Sequence, residues 1–186
     1  MDTKKLYIIP ECYIDTNLIE YLFQSSGVNH QKGCNVVAKK MIEVFNNQFS
    51  IGIVDNDKKQ HSYIEKECEI IAKSEHITLV KHCLKPHYFI MIAPAMEVFI
   101  LNCAKEAGVN MQDFGLPSDL ESLKQATKNV TGKNDLRFKK LFKALQCSQE
   151  MKVLSAILRY LDKYKYQSNA EELCKLFFKG ETICNY

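Results

Sequence analysis

Long apolar runs are scarce in this chain of 186 residues, so a membrane-spanning role is not expected. No stretch approaches the roughly 20 uninterrupted apolar residues that a span requires. The nearest, Phe89 to Leu101, is broken by Pro94 and Glu97. A secretory signal is missing as well: Met1-Asp2-Thr3-Lys4-Lys5 leads into only a handful of apolar residues, and Glu11 follows closely. The cytoplasm is therefore the expected location. The eight cysteines include no Cys-x-x-Cys pair, and most fall inside expected helices or strands. Reduced thiols are expected, not disulfides or structural zinc. The group His82, Cys83 and His87 lacks a second ligand pair for zinc. A glycine-rich phosphate loop is absent, since Ser25-Ser26-Gly27 fits neither the P-loop nor the dinucleotide fingerprint. There is no internal repeat and no low-complexity segment.

What the chain does have is a set of carboxylates placed just after short apolar runs. Leu6-Tyr7-Ile8-Ile9-Pro10 is followed by Glu11 and Asp15, and Ile51-Gly52-Ile53-Val54 by Asp55 and Asp57. Each run reads as a buried strand of a parallel sheet. Ligands of open α/β sheets bind beyond the carboxyl ends of the strands. Two acidic pairs arriving there repel each other unless a cation lies between them. Hard oxygen donors suit Mg²⁺ or Mn²⁺.

Along the rest of the chain, Asp15-Thr16-Asn17 offers N-cap chemistry for a helix over Leu18 to Gln24. A second helix is predicted from Gly33 to Asn46, with Val37, Met41, Val44 and Phe45 as its apolar stripe. Ile64, Cys68 and Ile71 predict a third helix. Strands follow at Ile77–Lys81 and Tyr88–Ile92, then a helix from Pro94 to a glycine stop at Gly108. This alternation predicts an α/β class, a small parallel sheet flanked by helices, over residues 1–112. Residues 113–186 are predicted to form a helical C-terminal subdomain. Phe138, Leu141, Phe142 and Leu145 form one stripe, and Met151, Leu154, Leu158 and Leu161 another.

The order strand, Glu-x-x-x-Asp, helix, helix, strand, Asp-x-Asp resembles the Toprim fold, a Rossmann-like arrangement of topoisomerases, bacterial primases and OLD-type nucleases. The matching stretches are Ile8 to Asp15 and Ile51 to Asp57. Tyr88 to Glu97 is similar to the late strand and acidic helix start of those nucleases. The resemblance covers about the first 105 residues and leaves the tail unmatched. Two departures stand out: Cys12 where the family usually has glycine after the glutamate, and Lys58-Lys59-Gln60 after the second motif.

The resemblance implies a metal-dependent nuclease that cleaves phosphodiester bonds of DNA or RNA, with a role in bacterial phage defence or a toxin system. It implies Glu11, Asp55 and Asp57 as catalytic residues, and Glu11, Asp15, Asp55, Asp57 and Glu97 as ligands of Mg²⁺ or Mn²⁺. It also implies a partner protein such as a separate ATPase. Two divalent ions about 4 Å apart can stabilise both the entering and the leaving oxygen of a phosphodiester.

Charge is unevenly spread, which suits a polyanionic substrate. Residues 1–118 hold 12 Lys/Arg against 14 Asp/Glu, and residues 119–167 hold 11 against 5. Lys58 and Lys59, with Arg137, Lys139, Lys140 and Lys143, are candidates for nucleic-acid binding. Plainer readings stand beside these: Asp15 as a helix cap, Asp55-Asn56-Asp57 as turn chemistry, Glu97 as a favourable charge in a first helical turn, and the lysines as solvated faces. The alternative function is a catalytically inactive Toprim-like binding module or partner subunit. A small-molecule enzyme on a receiver-like fold fits less well, because Lys81-His82 does not supply the expected phosphoacceptor.

Overall fold

The computed structural model describes residues 4–56, 59–128 and 134–178. Five strands form one sheet: β1 (Ile8–Pro10), β2 (Ser50–Asp55), β3 (Cys68–Lys73), β4 (Ile77–His82) and β5 (His87–Ile92). Their spatial order is β1-β2-β5-β4-β3. The first three run parallel, with Ile8 opposite Ile51 and Ile53 opposite Ile90. β4 runs antiparallel to both of its neighbours, β5 and β3.

The sheet is therefore mixed, which corrects the expected parallel arrangement. Connection length is the reason. Only Cys83–Pro86 separates β4 from β5, and Ser74–His76 separates β3 from β4. A parallel crossover takes a dozen or more residues, so chain segments this short can only reverse direction.

Side chains alternate between the two faces of the strands. Ile8, Ile51, Ile53, Ile90 and Ile92 join a large apolar cluster with α1 (Tyr13–Phe23), α4 (Met96–Glu106) and the C-terminal helices. Ile9, Val54, Phe89 and Met91 join a smaller one with α2 (Cys34–Lys40) and α3 (Ser62–Glu67). With helices on both faces every residue of β5 is buried, which is why it reads as a continuous apolar run. Gly52 faces the smaller cluster, where an added Cβ would lie 2.6 Å from the Phe89 ring and 3.0 Å from Met41 Sδ. Any larger residue there displaces the helix-side packing.

The predicted third helix is another correction. It ends at Glu67, and Cys68–Lys73 pairs with β4 as an edge strand. Ile64, Cys68 and Ile71 fit a helical stripe only by coincidence of spacing. The β-branched pair Ile70-Ile71 favours the strand, and exposed Glu69 and Lys73 suit an edge.

Beyond α4, the described residues hold no strand. They form α5 (Leu120–Thr127), α6 (Leu136–Ala144), α7 (Gln149–Tyr164) and α8 (Ala170–Phe178), with short 3₁₀ turns between. Their apolar stripes enter the same large cluster as the sheet, which runs from Ile8 to Phe177. Polar contacts also span the chain. Lys5 Nζ lies 2.8 Å from Asp162 Oδ1 in α7, and the Tyr7 hydroxyl donates to the same carboxylate. Among the described residues no helix is long and apolar enough to cross a membrane.

Candidate active site at the carboxyl end of the sheet

Glu11 and Asp55 stand at the carboxyl ends of the adjacent parallel strands β1 and β2. Asp15 lies in the first turn of α1 and Glu97 in the first turn of α4, both helices rising from that end of the sheet. Backbone N–H groups hold three of the carboxylates. Asp55 N–H donates to Glu11 Oε2 at 3.0 Å, Cys12 N–H to Asp15 Oδ2 at 3.1 Å, and Met96 N–H to Asp55 Oδ1 at 3.0 Å. The Thr127 hydroxyl, at the end of α5, donates to Glu97 Oε1. The two helix N-termini thus favour negative charge here, as unpaired N–H groups at a first turn do.

These bonds leave Asp15 under-compensated. Asp15 is 1% exposed, and its Oδ1 is buried without a hydrogen-bond partner. Burial pushes its carboxyl up to about 7, helped by the charges of Glu11 and Glu97 and opposed by the bonds from Cys12. Asp55 is pushed up to about 9, by burial first, then by Asp15 and Glu11, against the lowering effect of the Met96 N–H. Burial and Asp15 raise the Cys12 thiol well above its ordinary range, so it stands neutral beside the carboxylates.

In donor chemistry the set fits a hard divalent cation: carboxylate oxygens from four elements, one of them buried and unpartnered. As the side chains stand, no group of three or more His, Cys, Asp or Glu among the described residues is placed to hold a metal ion. Asp57 and Lys58 lie outside the described residues. Gln60 Nε2 donates to the Asp55 carbonyl at 3.0 Å, and its neighbour Lys59 is exposed.

The basic residues of α6 divide. The Arg137 guanidinium is committed to Asp135, 2.7 Å away, and to the Gly115 carbonyl at 2.9 Å. Lys140 and Lys143 are exposed and Lys139 is half-buried. Asn17 Nδ2 donates to the Asp135 carbonyl at 3.2 Å, which brings the start of α6 against the first half of α1.

A pocket of about 350 Å³ opens beside the carboxylates, lined by Glu11, Tyr13, His30, Lys32, Glu97 and Lys128 among others. Tyr13 and His30 stack with ring centroids 4.4 Å apart and 17° between planes. His30 Nδ1 lies 3.0 Å from the Thr16 hydroxyl, which in turn donates to the Cys12 carbonyl. Sequence reasoning missed these residues. Tyr13 sits inside the Glu-x-x-x-Asp motif, where its position was a usable signal. His30, Lys32 and Lys128 lie in connecting segments with no local pattern. Comparison with protein-family models, with curated proteins and with solved structures finds no match for this chain.

Proposed function

We propose that this chain is a Toprim-like, Mg²⁺- or Mn²⁺-dependent nuclease whose centre is built on Glu11, Asp15 and Asp55, with Asp57 and Glu97 as further ligands. The observation that carries the reading is Asp15. A wholly buried carboxylate with one oxygen unpartnered, facing the like charges of Glu11, Asp55 and Glu97, is costly without a counter-charge. A divalent cation supplies that charge. The three parallel strands, with acidic residues following two of them and an acidic helix start after the third, support the Toprim comparison. The reversed strand β4, with β3 beyond it, is the departure from it.

When bound, the metal would polarise a phosphoryl oxygen and lower the pKa of a bound water. The protein's own part is to hold the carboxylates in register by the N–H groups of Cys12, Asp55 and Met96. Glu11, held at the strand ends by the Asp55 N–H, would serve as a metal ligand or as the base toward an attacking water. Exposed Lys59, Lys140 and Lys143 are available to the phosphate backbone of DNA or RNA.

The test is cleavage of labelled DNA and RNA by the full chain with Mg²⁺ or Mn²⁺, beside Glu11→Gln and Asp55→Asn. The reading expects cleavage that needs the metal and falls by about 10³-fold or more in both variants, since metal stabilisation is worth several kcal/mol. A second reading, an inactive Toprim-like partner subunit, draws support from Cys12, which stands where the family usually has glycine. Nucleic-acid binding without cleavage under either cation would favour it.

A further inference from the structure

The pocket beside the carboxylates combines three features that a metal centre alone does not need. A flat aromatic pair, Tyr13 and His30, forms part of its wall. Two cationic side chains, Lys32 and Lys128, come to its lining from separate segments. Lys32 is exposed, and its Nζ stands 5.8 Å from the centre of the Tyr13 ring, a contact that another flat group can replace. The stack itself is braced from behind, because Thr16 links His30 to the first turn of α1. Braced rings at a pocket wall are pre-organised for stacking.

We propose that this pocket takes one unpaired nucleotide, its base against the Tyr13–His30 pair and its phosphate between Lys32, Lys128 and the carboxylate end of the sheet. The inference rests on the reading of that end as a phosphodiester-cleaving centre, and it names the substrate class: single-stranded nucleic acid or a strand end. Size and chemistry both point this way. A volume of about 350 Å³ lies at the lower end of small-ligand pockets. Bases inside a duplex are stacked on both faces, so only an unpaired base has a face free for an aromatic side chain. A free mononucleotide presents the same chemistry, and the experiment separates the two sources.

The experiment measures cleavage by the full chain with Mn²⁺ on one sequence, offered single-stranded and as blunt duplex, with wild type, Tyr13→Ala, Tyr13→Phe and Lys32→Ala. Calorimetry with mononucleotides and with the single strand runs alongside. The single strand should be preferred. Tyr13→Ala should raise KM about tenfold or more with kcat within a few fold, as loss of one stacked base predicts. Tyr13→Phe, which keeps the ring, should recover most of that loss. Lys32→Ala, on an exposed side chain that cannot upset the fold, should raise KM and flatten the salt dependence. Wild-type cleavage with KM unmoved in Tyr13→Ala and Lys32→Ala overturns the subsite and leaves the nuclease reading intact. Mononucleotide binding that Tyr13→Ala abolishes, without cleavage by wild type, upholds the subsite with a free nucleotide as its ligand and overturns the nuclease reading. Neither cleavage nor binding by wild type overturns both.

Discussion

The two ends of the sheet bury polar groups in opposite ways. At the carboxyl ends of β1 and β2, four acidic side chains gather, and backbone N–H groups and one hydroxyl donate to them. At the far end, where β5 begins and β4 finishes, Tyr63, His82 and His87 answer one another. The Tyr63 hydroxyl lies 2.6 Å from His87 Nδ1, and His82 Nε2 lies 3.1 Å from Glu67 Oε2. His82 Nδ1 accepts the backbone N–H groups of Leu84 and Lys85, both at 3.0 Å. The far end sets a hydroxyl, a carboxylate and backbone N–H groups against its imidazoles, although His87 Nε2 is buried without a hydrogen-bond partner. The carboxylate end sets like neighbours together, with Asp15 Oδ1 buried and unpartnered among them. Buried polarity thus comes in two kinds here, and the difference between them lies in the charge of the neighbouring groups.

Metal gives the largest test of that contrast. Mn²⁺ at a hundredfold excess over its Kd should raise stability by about 2.7 kcal/mol, seen as a higher Tm. Asp15→Asn should weaken that response, and Tyr63→Phe should leave it in place.

Next in size is pH. A carboxyl whose folded pKa is raised binds its proton more tightly when folded, so its contribution is full below the ordinary 3.8 and is lost as pH rises. For Asp15 and Asp55 the loss runs through about 7 and about 9. His87 behaves in the reverse sense: burial, then Lys85 and His82, lowers it from 6.5 to about 4, so stability is lost as pH falls through that interval. Metal-free protein should therefore weaken in alkali at one end of the sheet and in acid at the other. Urea denaturation in EDTA should find Asp15→Asn more stable than wild type by about 2 kcal/mol at pH 9, the gain fading toward pH 4. An equal gain at both pH values would break the comparison.

At the far end, Tyr63→Phe removes the hydroxyl facing His87 and should cost about 1–2 kcal/mol at neutral pH, read from the same denaturation curves. The smallest effect belongs to Arg137→Ala. Its partly solvent-screened pairing with Asp135 is worth about 0.5 kcal/mol. With its guanidinium already engaged, nucleic-acid affinity should hardly move in a filter-binding assay, whereas Lys140→Ala should weaken it.

The contrast between the ends also explains how much could be read from the sequence. Strands β1, β2, β4 and β5 are visible because each is a short β-branched or aromatic run bounded by polar residues. Glu11 and Asp55 are visible because they close such runs. The direction of β4 was legible too, since six residues between Lys81 and Tyr88 leave no room for a crossover. Helical spacing across Ile64, Cys68 and Ile71 hid β3, because short apolar stretches satisfy both periods. Cys12 was legible only as a departure from glycine, whereas its N–H in fact steadies Asp15. The pocket wall was illegible because His30 and Lys128 meet Tyr13 only through tertiary packing.

The ties from Lys5 and Tyr7 to Asp162 have a consequence in time. They join positions 157 and 155 residues apart, and β1 itself has no strand partner until residue 50 has emerged. Closures of this length are slow steps, reached late during synthesis. The earlier of the two acidic motifs thus follows a segment that is fastened late, since Lys5 and Tyr7 are tied down only when α7 has been made.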